Sequence, residues 1–166
     1  KLFRLTTKGE LNEGVFGAAT INTPSMLVIE DAIDALNWAK SIGGLPALIG
    51  RCDASLAIIK SWVEKTPYFG FLAEDPTTIS NTSVALSIVD PWFVRLDSAE
   101  KTATASKLIT CLEREGVAFD VASYRDAPPG IRIWVGPTVE PTDVIALLPW
   151  LDWAYARIVQ TSSAAK

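Results

Sequence analysis

Residues 127–144 read APPGIRIWVGPTVEPTDV, and this stretch decides the architecture. After Pro128-Pro129, the apolar Ile131, Ile133 and Val135 alternate with Arg132 and Trp134. That is the period-two pattern of a strand with one covered face. Thr142-Asp143 then opens a helix striped by Val144, Leu147, Leu148, Leu151 and Ile158, and Pro149 inside that stripe is expected to kink or split it. Arg132 is the one cation within the strand. A guanidinium beside buried positions is costly to desolvate unless an anion meets it. Its planar fork suits a carboxylate, held by two parallel hydrogen bonds. An Arg on the exposed face of an edge strand, paired with Asp126 or Glu140, is the other reading, and this stretch alone leaves both open.

Working upstream, VAFDVASY (117–124) reads as the preceding strand, joined to the first by the tight RDAPP loop. Asp97 and Glu100 have capping-box spacing and open a helix to about Glu115, closed by Gly116. Strands are predicted at 68–73 and 82–90, where TSVALSIVD alternates. From residue 68 the order is therefore ββαββα, an α+β sandwich of a mainly antiparallel sheet with helices on one face.

Two long helices precede it. Thr23 is a suitable N-cap and Pro24 fits a first helical position. Met26, Ile29, Ile33, Leu36 and Ala39 then recur at helical spacing to about Ser41. Gly43-Gly44 ends that helix, and a second runs from about Pro46 to Lys65, striped by Leu48, Ile49, Cys52, Leu56, Ile59, Trp62 and Val63. The first twenty residues read as a connecting segment with little core. The tail QTSSAAK is expected to fray.

The chain has 166 residues and a net charge of −4, so it carries no basic field for nucleic acid. No apolar run approaches the roughly 18 residues that span a bilayer, and KLFRLTTKGELNEG lacks the pattern of a signal peptide. A cytoplasmic protein is expected. Cys52 and Cys111 fall on helix stripes and read as buried structural thiols. Histidine is absent, which removes Ser-His-Asp and Cys-His nucleophile systems and any His-based metal site.

Two further segments carry chemistry. INTPSM (21–26) places Asn22 and Thr23 at a helix N-terminus, where unpaired N–H groups and the helix dipole favour an anion such as phosphate. An ordinary N-cap explains the same residues. Tyr124-Arg125 precedes the loop that leads to Arg132, so two arginines flank one tight loop and could hold two anionic groups of one small molecule. A solvated Arg125 beside Asp126 is the plain alternative.

Three strings now reach a resemblance. GVFGAATINTPSMLVIEDAIDALNWAKSIGGLPALI (14–49), DPWF (90–93) and SYRDAPPGIRIWVGPTVEPTDVIALLPWLDWA (123–154) resemble the C-terminal part of the phosphoserine aminotransferases of the alpha-proteobacterial type. These are fold-type-I enzymes dependent on pyridoxal 5'-phosphate, and the resemblance covers nearly the whole chain. It implies that residues 1–45 end a large cofactor domain and 46–166 form the C-terminal small domain. It implies that Asn22 and Thr23 reach the cofactor phosphate of a partner subunit in a homodimer, and that Arg132 binds the substrate α-carboxylate. Tyr124 and Arg125 stand where the family places a basic pair of the substrate phosphate pocket, with Tyr in place of a common His and a longer loop.

The implied activity transfers an amino group between glutamate and 3-phosphohydroxypyruvate, giving phosphoserine in serine biosynthesis. Transamination also needs a lysine that carries the cofactor as a Schiff base and moves protons. None of Lys1, Lys8, Lys40, Lys60, Lys65, Lys101, Lys107 or Lys166 has the sequence setting of that residue. The resemblance puts the lysine upstream, so the chain is expected to be a piece of a longer enzyme, inactive and without bound cofactor by itself. No metal, nucleic-acid or membrane partner is expected. The competing reading is a stand-alone α+β module that binds a small anionic metabolite without catalysis.

Overall fold

The computed structural model describes residues 6–11, 13–17, 23 and 25–163. The chain divides into two compact units, residues 1–45 and 46–166. In the first, β1 (Thr6–Thr7) and β2 (Glu10–Leu11) form a two-stranded antiparallel hairpin. Lys8 and Gly9 turn it with positive φ, as such tight turns require. A single 3-10 turn follows at Glu13–Gly17. Helix α1 spans Met26–Ser41 and buries none of its residues; Met26, Leu27, Val28 and Leu36 are exposed.

The start of α1 corrects the expected cap. The helix begins two residues after Pro24, with Ser25 as N-cap, extended at φ −69° and ψ 120° and without a side-chain capping bond. Gly43 and Gly44 both have positive φ, and α2 (Gly44–Val63) starts there, two residues earlier than the sequence pattern indicates. Pro46 then sits in the first turn, where its missing N–H costs nothing.

The second unit is a three-stranded antiparallel sheet in the order β3 (Phe69–Phe71), β4 (Ser83–Ile88), β5 (Gly130–Trp134). Alternation decides its two faces. Val84, Leu86, Ile88, Ile131 and Ile133 point into one core with Leu56 and Ile59 of α2. Leu108 and Leu112 of α4 (Ser98–Arg114) join them, as do Val144, Leu148, Leu151, Tyr155 and Ile158 of α5 (Pro141–Ser163). The opposite face carries Ser83, Ala85 and Ser87 of β4 across from Trp134, Arg132 and Gly130.

Helix α4 starts as its sequence indicates, with a complete Asp97–Glu100 capping box, and Gly116 closes it at positive φ. Asp90 caps a short additional helix, α3 (Pro91–Val94). Cys52 and Cys111 are free thiols; Cys52 is buried as expected, and burial pushes its thiol pKa up, whereas Cys111 is only half-buried.

Three sequence expectations differ here. VAFDVASY is not a strand: it contributes one bridge, Ala122 to Ile131, and one bond from the Arg132 N–H to the Val121 carbonyl at 2.8 Å. Continued past Ala122, that register sets Tyr124 opposite Pro129, which has no N–H to give, so the pairing does not extend that way. From residue 68 the order is thus ββααβα rather than ββαββα, while the sheet remains antiparallel and covered by helices. Helix α5 is not split at Pro149. That residue and Ile145 are exposed, so the carbonyl it leaves free lies on the watered side. Finally, α5 continues to Ser163 instead of fraying at Gln160.

Two linked polar clusters fasten α5 to the rest of the unit. The Tyr68 and Tyr155 rings stack at 3.9 Å and 4°. The Tyr68 hydroxyl donates to Asp152 at 2.7 Å, and the Trp62 Nε1–H is shared between both Asp152 oxygens at 3.2 Å. The Tyr155 hydroxyl donates to Asp90 and accepts from Trp92 Nε1 at 2.9 Å. Burial, then the neighbouring carboxylates, raise both phenol pKa values above the ordinary 10.0. The unfolded chain therefore loses these protons first as pH rises. Their contribution to stability is complete below about pH 10 and lost progressively above it. We expect the thermal midpoint to fall with pH above that value, and Tyr68→Phe/Tyr155→Phe to flatten the fall; equal slopes would contradict it.

Candidate functional site

Arg132 lies on β5, on the face turned away from the core, opposite Ala85. Its side chain is only 10% exposed. Its Nη2 donates to the Asp120 carboxylate at 2.8 Å and approaches the Asp120 carbonyl at 3.4 Å. The Tyr124 ring covers the guanidinium at 4.8 Å from its centroid, a distance at which the cation is attracted to the ring face. The Nε is buried with no hydrogen-bond partner. The guanidinium is thus held from one side by a single loop, with part of its fork unsatisfied.

Neither partner expected from the sequence is used. Glu140 instead pairs with Arg51, whose Nε also donates to the Pro137 carbonyl at 2.6 Å. Asp120 takes the place because the bond between Arg132 N–H and the Val121 carbonyl sets the loop beside β5. The signal was present in VAFDVASY, whose only carboxylate is Asp120. Using it required the register between that segment and β5.

Tyr124 and Arg125 line a cleft of about 350 Å³ with Ser98, Thr102 and Ser106 of α4, and with Ser123, Pro129 and Gly130 around their own loop. Five hydroxyls and one cation suit an oxyanion, since hydroxyls can donate while Arg125 supplies charge, although that of Thr102 donates to the Ser98 carbonyl at 2.9 Å. The structure thus brings Tyr124 against Arg132 and Arg125 into the adjoining cleft. A second groove of about 410 Å³ between α4 and α5 carries Lys107, Arg114 and Arg157. Of these, Arg114 lies in the last turn of α4, where it complements the helix dipole.

At the other candidate position, Thr23 is exposed and stands outside α1, and Asn22 lies outside the described residues. Among the described residues no group of His, Cys, Asp and Glu could hold a metal ion. No single described helix is long and apolar enough to cross a membrane. None of the described lysines is buried, so none is sequestered in the way a Schiff-base lysine must be. Among the described residues, none offers the setting that the reactive end of pyridoxal phosphate needs.

No family model matches the chain. It is 45% identical over 155 residues to phosphoserine aminotransferase of Methanosarcina mazei, and equally to that of Methanosarcina barkeri. In each case 93% of this chain and 39% of the relative are covered. A phosphoserine aminotransferase of a Nocardioides species is 29% identical over 135 residues. Among solved structures, the phosphoserine aminotransferase of Bacillus circulans subsp. alkalophilus superposes with a TM-score of 0.70 at 16% identity, covering 86% of this chain and 36% of that one. Another, studied for radiation damage of its Schiff base, gives 0.71 at 15%, covering 94% and 40%. The chain spans about two fifths of the length of the curated relatives it matches. These likenesses identify it as a relative of the phosphoserine aminotransferases, with their fold and corresponding to part of such a protein.

Proposed function

We propose that this chain is the substrate-holding C-terminal part of a pyridoxal-phosphate-dependent phosphoserine aminotransferase. Arg132 receives the substrate carboxylate, and Arg125 with the hydroxyl-lined cleft beside it receives the phosphate. The observation that carries the reading is the nine-tenths-buried arginine with an unsatisfied Nε, in a chain 45% identical to such enzymes. A buried cation that keeps part of its fork open is costly as pure structure and useful as a receptor for a carboxylate.

The cofactor supplies the electron sink for transamination when bound, and the lysine that carries it belongs to the remainder of the enzyme. Within this chain Arg132 and Arg125 bind and orient, and Tyr124 keeps water from one face of the guanidinium. Asn22 and Thr23 serve the cofactor phosphate of a partner subunit, which makes the enzyme a homodimer with composite sites. The apolar residues exposed on α1 are then covered in the complete protein, consistent with the usual scarcity of large exposed apolar patches. A cytoplasmic enzyme acting on glutamate and 3-phosphohydroxypyruvate follows from the same reading.

Two assays test it. The complete protein containing this chain should convert 3-phosphohydroxypyruvate and glutamate to phosphoserine and 2-oxoglutarate. The chain alone, mixed with pyridoxal phosphate, should show neither turnover nor a borohydride-reducible adduct at one specific lysine. A folded, cofactor-loaded complete protein without this activity would defeat the proposal. Turnover by the isolated chain would show that the reaction centre has been misplaced.

A further inference from the structure

We infer that Asp120 is a built-in occupant of the carboxylate site on Arg132, which an incoming carboxylate must displace. The inference rests on the reading of Arg132 as the receiver of a substrate carboxylate. Three observations carry it. The partners are unequal: the Arg132 side chain is 10% exposed, while the Asp120 side chain is 81% exposed. An aspartate already in water loses little on release, whereas the arginine cannot be left alone. The pairing is incomplete, because Asp120 engages Nη2 only and Nε stays buried without a partner. A carboxylate lying across Nε and Nη2 would satisfy both donors, so a free ligand can make a better contact than the resident one.

The third observation concerns the cover. Asp120 and Tyr124, the two groups against the guanidinium, belong to the one connection between α4 and β5, outside regular structure but for the single bridge at Ala122. Tyr124 is itself 66% exposed, so both can swing away without disturbing the core. The resident carboxylate keeps Arg132 paired while the site waits for its ligand, and lowers apparent affinity by the fraction of time it is seated.

Chemical rescue tests this in the chain as it stands, with sodium acetate as the probe and sodium chloride at equal ionic strength as the control. Asp120→Ala should melt lower than the parent in chloride, and acetate should restore the midpoint. Acetate should half-saturate the Arg132 Nε–H NMR signal at a concentration about three- to tenfold lower than in the parent, the range for a part-exposed ion pair. Asp120→Asn, which keeps the side-chain shape, should fall between the two and decides the matter if the alanine variant unfolds. Adding Arg132→Gln to the alanine variant should abolish the acetate effect. If the parent binds acetate at Arg132 and the Asp120 variants bind it no tighter, Asp120 is not an occupant and the carboxylate reading of Arg132 survives. If acetate reaches Arg132 in no variant, both fail.

Discussion

Arg132→Lys is expected to lower kcat/KM of the complete enzyme by about two orders of magnitude. The substitution keeps the charge but replaces a planar fork by a point donor, so the substrate carboxylate is held by one bond and out of line. A charge-assisted contact of about 3 kcal/mol lost in the transition state corresponds to that factor. The fold should change little, because a lysine can still meet Asp120, which already stands 2.8 Å from the arginine. Steady-state kinetics with 3-phosphohydroxypyruvate check the claim, with circular dichroism confirming the fold. Parent-like kinetics would mean that Arg132 only fastens the loop.

Tyr155→Ala should destabilise the second unit by about 4 kcal/mol. The ring is 5% exposed, stacked on Tyr68 and edge-on to Phe69 at 5.8 Å. Its hydroxyl also joins Asp90 and Trp92, and Asp90 caps α3 through the Trp92 N–H. Alanine therefore opens a cavity and leaves Trp92 Nε1 without its hydrogen-bond acceptor. Tyr155→Phe keeps the packing and removes only the hydroxyl, at a cost of about 1–2 kcal/mol. Urea unfolding of both variants separates the two contributions. A loss below about 1.5 kcal/mol for alanine would show that the cluster relaxes around the gap.

What could be read without coordinates follows the range of the interactions. Capping at Asp97, closure at Gly116 and the stripe of α5 are set within a few residues and appear in the structure, as does that of α2 except at Ile49, which is exposed. Arg132 was legible as an anomaly because one cation in an apolar strand breaks a local pattern. Its partner was not legible. Asp126 and Glu140 are nearer in sequence, and Asp120 arrives only through a loop contact with β5. Residues 117–124 alternate well but form only the single bridge at Ala122. The Tyr68–Asp152 and Tyr155–Asp90 bonds join residues 84 and 65 apart, beyond any periodicity. Asn22, outside the described residues, stays an expectation from the resemblance.

Gly130 decides more than its size suggests. A methyl group there would lie 2.3 Å from the Leu86 carbonyl oxygen on β4, so only hydrogen fits. Suppose β5 slid by one residue against β4. Ile131 or Pro129 would occupy that slot, and every side chain of the strand would exchange faces. Ile131 and Ile133 would turn to the outer face and Arg132 into the hydrocarbon interior. The alternation of β5 favours the observed arrangement over the other by energy alone. The missing side chain distinguishes them by exclusion, a steric key cut for one register. The outward direction of the receptor arginine is thus proofread two residues away, by an atom the chain does not have.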